Sequence, residues 1–169
     1  MSAIAGRIAL RVADPLQNLH RPIDPASAAA MDLIGNEFAN RLYGNAGVNI
    51  LDGKGGNDLL TGGGGKDAFL FTTAPNGSTN VDTIKDFKPI DDTISLSHLA
   101  FQGLAVGSLP PGALGLGTSA TQADDRIIYD KATGWLYFDQ DGSGNIYAPI
   151  HFATVTAGVN LTAADFIVS

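Results

Sequence analysis

The sequence predicts an all-β fold: a short coil of parallel strands, continued by an antiparallel β subdomain. Three observations carry that expectation. Residues 35–70 divide into four contiguous blocks of nine, with glycine, Asn/Asp and an apolar residue in phase. Sixteen of the seventeen acidic residues are Asp, alongside 21 Gly and 8 Pro, a composition suited to turns and loops and poor in helix formers. The C-terminal half carries short apolar segments separated by turn residues. These features divide the chain into residues 1–31, 32–71 and 72–169.

The first 31 residues stand outside the period. Ile8, Leu10 and Val12 alternate as in a strand, and Pro25 followed by Ala28, Ala29 and Ala30 fits the start of a short helix. An open coil end needs covering. This segment is therefore either an N-terminal cap or the remnant of a larger upstream protein.

The repeat blocks are GNEFANRLY (35–43), GNAGVNILD (44–52), GKGGNDLLT (53–61) and GGGGKDAFL (62–70). Position one is always Gly. Position six is Asn40, Asn49, Asp58 and Asp67, and position eight is Leu42, Leu51, Leu60 and Phe69. The apolar register reaches back to Leu33 and stops forward at Ser78, which bounds the array at 32–71. Six glycine-rich residues can take the positive φ values of a tight loop. The next three form a short strand whose central side chain points inward. Two units complete a turn, so residues eighteen apart stack: Leu42 on Leu60, Leu51 on Phe69, Asn40 beside Asp58, and Asn49 beside Asp67. Aligned carboxylates repel unless a positive charge sits between them. Calcium suits that place, because it accepts six to eight oxygens from carboxylates and carbonyls.

The blocks resemble the repeats-in-toxin (RTX) nonapeptide G-G-x-G-x-D-x-U-x. Residues 62–70 fit it at every constrained position, residues 53–61 depart only at Lys54, and the two earlier blocks depart further. The resemblance implies a parallel β-roll holding Ca2+. Its ligands would be the position-six side chains of Asn40, Asn49, Asp58 and Asp67 with the carbonyls of Gly44, Ala46, Gly53, Gly55, Gly62 and Gly64. The neutral Asn40 and Asn49 would make weaker sites. Asp82 either completes the last site, where the chain crosses back over Asp67, or caps a strand end. Asp139 and Asp141, followed by Gly142, are open to a metal loop or a hairpin turn.

Beyond the array, Ile94 and Leu96 alternate with polar residues, 103–121 reads as a Gly/Pro/Ser loop, and 126–129, 135–138 and 150–155 read as strands. Together, DTIKDF (82–87), DTISL (92–96), LYFDQDG (136–142) and ADFIVS (164–169) resemble the segment after the repeats in exported proteases and polysaccharide epimerases of the RTX superfamily. That resemblance implies a C-terminal signal for a type I export machinery, with Asp165 before Phe166, Ile167 and Val168 as its terminal motif. A buried terminal strand is the other reading of those four residues.

A net charge of −7 argues against nucleic acid as a partner. No apolar run is long enough for a transmembrane segment, and Arg7 and Arg11 interrupt the N-terminus where a secretory signal would be apolar. Cysteine is absent, His20, His98 and His151 form no zinc motif, and there is no nucleophile elbow. Gly65-Lys66 lacks the other residues of a phosphate loop, and Asp91-Asp92 and Asp124-Asp125 would point to opposite strand faces. The expectation is a secreted or cell-surface, non-enzymatic module that binds calcium ions and is folded or stabilised by them outside the cell. The alternative is a carbohydrate-binding module that meets an extracellular polysaccharide through an exposed basic or aromatic strip.

Overall fold

The computed structural model describes residues 8–11 and 26–169 of the chain. Consecutive short strands alternate between two sheets, because each intervening loop reverses the chain across the core. The first sheet receives β2 (Met31–Asn36), β4 (Asn49–Lys54), β6 (Ala68–Phe71) and β8 (Thr93–Leu96). The second receives β3 (Arg41–Tyr43), β5 (Leu59–Thr61) and β7 (Asp82–Ile84). All neighbours within this coil are parallel.

Parallel register stacks like on like. Leu33, Leu51, Phe69 and Ile94 stand in one column, and Leu42, Leu60 and Ile84 in the other. All seven are buried. Each contributes about 1.5–3 kcal/mol by leaving water. The stack does not end where the nine-residue period ends. Ile84 lies on Leu60 and Ile94 on Phe69, although the steps are now twenty-four and twenty-five residues. The extra chain before β7 is a surface turn tied down by Asn57, whose side chain accepts from Val81 N–H (2.9 Å) and donates to the Ser78 carbonyl (3.0 Å). Ser78 therefore sits in that turn and interrupts the period without interrupting the column.

At the N-terminal end, β1 (Ile8–Arg11) adds to β2 in parallel, with Leu10 opposite Leu33. Val12 and Pro25 of the expected strand and helix lie outside the described residues. Ala28–Ala30 are not helical. This segment runs along the loop of the second block, where the Ser27 carbonyl accepts from Ala46 N–H and the Ala29 carbonyl from Asn45 Nδ2.

The C-terminal half completes both sheets. The expected antiparallel unit is present as β11 (Ile127–Asp130), β12 (Trp135–Phe138) and β13 (Ile150–Thr154). It joins the coil by parallel pairing of β13 with β7. Residues 103–121, expected as a loop, contain β9 (Gly107–Ser108), a 3-10 turn at Pro111–Ala113 and β10 (Leu114–Leu116). Tertiary pairing overrides their weak local propensity. The last strand, β14 (Phe166–Val168), lies between β8 and β9 and stacks Phe166 on Ile94. The sheet orders are thus β1-β2-β4-β6-β8-β14-β9 and β10-β11-β12-β13-β7-β5-β3. Edge-to-face rings join coil to extension: Phe71 meets Phe152 at 5.2 Å, and Phe101 bridges Phe152 (5.1 Å) to Phe138 (5.2 Å).

Because Leu60 sits between Leu42 and Ile84 with no exposure, Leu60→Ala leaves a cavity between three turns. Chemical denaturation at fixed calcium should show a loss of about 2–5 kcal/mol. A loss below about 1 kcal/mol would mean that the column is not the core.

Candidate metal centre

Position six stands at the first residue of its strand or immediately before it, so the same register that stacks leucines also stacks its side chains. In one ladder, Asn40 N–H donates to Asp58 Oδ1 (2.7 Å) and Asp58 N–H donates to Asp82 Oδ1 (3.0 Å). In the other, Asn49 N–H donates to Asp67 Oδ1 (2.9 Å) and Asp67 N–H donates to Asp92 Oδ1 (3.0 Å). All six residues are buried. Asp82 lies over Asp58, not over Asp67 as the sequence suggested. A strand following β6 returns to the opposite sheet, where its neighbour is β5; Asp92 is the residue over Asp67.

Each carboxylate uses one oxygen on the preceding turn, and the fate of the other differs. Asp92 Oδ2 accepts from Lys88 N–H (2.9 Å). Asp58 Oδ2 is the one buried side-chain oxygen among the described residues with no hydrogen-bond partner. Such an atom is costly unless a ligand meets it.

The position-one glycines explain how these oxygens fit. A methyl group on Gly53 would overlap Asp58 Oδ2, and one on Gly62 would overlap Asp67 Oδ2. On Gly35 it would overlap Asn40 Oδ1 and the Gly53 carbonyl, and on Gly44 it would overlap Asn49 Oδ1 and the Gly62 carbonyl. None of the four has positive φ. Position one is bare to leave room for oxygens. Left-handed backbone is confined in the third and fourth blocks to positions two and four: Lys54 (φ 72), Gly56 (φ 103), Gly63 (φ 97) and Gly65 (φ 99). Lys54 is the only non-glycine among the described residues in that region. It donates to Asp52 from its N–H (3.1 Å) and its Nζ (2.8 Å), and Nζ also reaches Thr72 Oγ1 (3.2 Å).

Burial dominates the electrostatics. Desolvation raises Asp67 from the ordinary 3.8 to about 6, with Asp92 and Asp86 adding repulsion. Asp58 and Asp82 form one interacting pair, pushed up to about 7 and about 8 by desolvation, with Asp52 repelling both. Asp92 is also raised, again chiefly by burial. Carboxylates held this far above their normal range favour any cation that can replace water.

Sequence reasoning missed Asp52, Asp86 and Asp92. Asp86 accepts from Gly62 N–H (3.0 Å) and Gly63 N–H (2.8 Å), clamping the fourth loop. The signal for Asp92 was present. Asp82-Thr-Ile84 and Asp92-Thr-Ile94 keep the carboxylate-x-apolar spacing of Asp58-Leu-Leu60 and Asp67-Ala-Phe69 after the period is lost. Asp139 and Asp141 belong to a separate loop after β12. Asp139 Oδ1 accepts from Asp141 N–H (3.2 Å), while Asp141 accepts from Ile146 N–H (2.9 Å) and Tyr147 N–H (3.3 Å). Among the described residues no three acidic or histidine side chains converge. A rung offers two carboxylates, and the rest of a coordination shell must come from backbone carbonyls. An all-oxygen set of this kind fits calcium.

Residues 34–69 match the family model of the RTX calcium-binding nonapeptide repeat, in four copies. Among curated proteins, none matches the chain. Among solved structures, the AlgE6R3 subunit of the Azotobacter vinelandii mannuronan C5-epimerase is 27% identical, covers 82% of this chain and 77% of its own, and superposes with a TM-score of 0.49. The four copies are calcium-binding nonapeptide repeats, for which the ion is Ca2+, and the parallel coil that carries them is a β-roll.

Raised folded-state pKa values set the pH dependence of the metal-free protein. Its stabilising share from Asp58, Asp67 and Asp82 is complete below the unfolded value of 3.8 and is lost as pH rises through about 6 to 8. Metal-stripped protein should therefore melt at higher temperature at pH 5 than at pH 8. Saturating calcium should shrink or reverse that difference. A metal-free melting temperature that climbs from pH 5 to pH 8 would contradict the assignment.

Proposed function

We propose that this chain is a secreted or cell-surface, non-enzymatic module whose coil is locked by calcium between the Asp rungs. The observation that carries the reading is the unpartnered, buried Asp58 Oδ2 beside Asp82, inside an array of calcium-binding repeats. The ligand set we assign is Asp58, Asp82 and Asp67, with the carbonyls of Gly53, Gly55, Gly62 and Gly64; Asp92, whose two oxygens accept from Asp67 N–H and Lys88 N–H, holds the Asp67 rung in place. Asp139 and Asp141 are left to the hairpin-turn reading, because Asp141 already uses both oxygens on its own loop. Bound calcium would supply positive charge and take backbone carbonyl oxygens of the loops as its remaining ligands. Without that charge, Asp58 and Asp82 must share a proton or repel across the rung as pH rises through about 7 to 8, and the downstream loops are the weak part of the coil.

This gives export a physical order. Phe166 and Val168 of the terminal Asp165-Phe166-Ile167-Val168 motif are buried in the first sheet. Asp165 is closed in a capping box with Thr162 (2.6 Å). A type I machinery reading these residues as a signal must do so before the sheet closes. Low calcium inside a cell keeps the Asp rungs repelling, and millimolar calcium outside completes them.

A second reading, contact with an extracellular polysaccharide, is favoured by an aromatic cluster on the second sheet. Trp135, 43% exposed, stacks on His151 (4.9 Å, 29°), which also meets Tyr137 (5.3 Å). If that cluster is a sugar platform, Trp135→Ala should abolish binding on a polysaccharide array with calcium affinity intact. Retained binding would rule out the cluster.

The primary test is a calcium titration of metal-stripped protein followed by circular dichroism and Trp135 fluorescence, with magnesium as control. A calcium-specific gain of β signal at about 10⁻⁴ to 10⁻³ M is expected. Asp58→Asn should shift the midpoint at least about tenfold, equivalent to about 1.4 kcal/mol. An unchanged midpoint would remove Asp58 from the ligand set, and no calcium response in the parent protein would end the proposal.

A further inference from the structure

The first two blocks share two departures from the RTX pattern, and the first also has Phe38 in place of the position-four glycine. Position two, Lys54 and Gly63 in the later blocks, is Asn36 and Asn45; position six, Asp58 and Asp67 in the later blocks, is Asn40 and Asn49. The two replacements are in contact. Asn36 N–H donates to Asn40 Oδ1 (2.8 Å), and Asn40 Nδ2 donates back to Asn36 Oδ1 (3.1 Å). The second block repeats this closure: Asn45 N–H to Asn49 Oδ1 (2.7 Å) and Asn49 Nδ2 to Asn45 Oδ1 (3.0 Å).

Backbone and side chain change together for a physical reason. Lys54 and Gly63 are left-handed, whereas Asn36 and Asn45 are not among the positive-φ residues. In the two Asn blocks the position-two N–H turns toward the position-six side chain. The position-two side chains are tied down further. Asn36 Oδ1 accepts from Phe38 N–H (3.0 Å) and Asn45 Oδ1 from Gly47 N–H (2.8 Å), while Asn45 Nδ2 donates to the Ala29 carbonyl (3.0 Å). The position-two carbonyls of Asn36 and Asn45 accept from Gly55 N–H (3.1 Å) and Gly64 N–H (2.9 Å) one turn on. Asn40, Asn45 and Asn49 are buried with their side chains hydrogen-bonded. The amide Nδ2 brings a donor where an ion would need an acceptor.

We infer that the Asn36–Asn40 and Asn45–Asn49 pairs close the upstream rungs without metal, so that Asn40 and Asn49 are not calcium ligands and ion binding is confined to the downstream Asp rungs. The coil then has two parts. Residues 31–51 are held by amide pairs at any calcium concentration, and they offer β5 and β6 a preformed edge. Residues downstream of Gly53 depend on the ion. This inference rests on the calcium reading of the Asp rungs.

The test uses the full chain and reads calcium affinity and stoichiometry by isothermal titration, beside melting temperature in chelator and in calcium. Asn40→Ala and Asn49→Ala should lower the melting temperature by similar amounts in both conditions and leave the calcium midpoint within about twofold. A tenfold or larger weakening of calcium binding in either variant would make that Asn a ligand and overturn the inference. Should either alanine variant fail to fold, Asn40→Asp and Asn49→Asp decide the matter. Each breaks the amide pair and creates a carboxylate rung, so each should melt lower in chelator and bind one ion more than the parent. An unchanged stoichiometry with tighter binding would mean that the rung already held an ion. A parent protein that binds no calcium would refute the Asp-rung reading instead, and would do so before any variant is made.

Discussion

Parallel stacking at one-turn spacing places each side chain directly over its equivalent, about 4.8 Å away. The rest of the structure depends on that constraint. For position eight it is favourable, and Leu33, Leu51, Phe69 and Ile94 become a continuous apolar column. For position six it is unfavourable, and Asp58 is forced beside Asp82 with both desolvated. The two columns come from one register and cannot be separated by sliding the strands, since a one-residue slip would turn every core side chain outward. The repulsion is therefore locked in by the core, and it must be met chemically. Position-one glycines follow from the same constraint, because each stacked oxygen occupies the space where their side chain would stand.

The chain meets the repulsion in two ways. Downstream it leaves carboxylates with an oxygen to offer, and upstream it replaces each carboxylate with an amide and gives the amide a partner four residues back. A lone change of Asp to Asn would leave Nδ2 in search of an acceptor in a buried loop. The accompanying Asn at position two supplies that acceptor and, by abandoning the left-handed backbone, points its own N–H at Oδ1. Both Asn blocks carry both changes, as a hydrogen-bond balance in a buried site requires.

These patterns were unequally legible. A strict period with one apolar position per nine residues is a local signal, and it was enough to place β2 to β6 and the columns through them. The alternation at Ile94 and Leu96 was legible, but the places of Ile84 and Ile94 in the columns were hidden, because the steps that carry them are twenty-four and twenty-five residues long. Period counting fails there, while the Asp-x-Ile spacing survives. The docking of β14 between β8 and β9 had no local signature, since Phe166 meets a partner far upstream in the chain. Glycine was the least transparent residue. The loops suggested φ > 0 as its reason throughout, whereas position one needs absence of bulk and only positions two and four of the later blocks need the left-handed region.

The order of chain segments has a consequence for folding. The coil's contacts span about two blocks, but its first sheet is completed by the last strand of the chain, and Ser169 N–H closes on the Leu96 carbonyl (2.9 Å). Long-range closure of this kind is slow relative to local pairing. Strands β2, β3 and β4 can form early, because their loops are satisfied by amides within the same block. The Asp rungs lie between that early edge and the late-arriving C-terminal strands, where Phe71 awaits Phe152 and Ile94 awaits Phe166. Repulsion at Asp58 and Asp82 thus falls at the junction through which order must pass from one end to the other. Charge compensation of even about 1–2 kcal/mol there is a large fraction of a small domain's stability. The carboxylates are few, but they are placed where the two halves of the core meet.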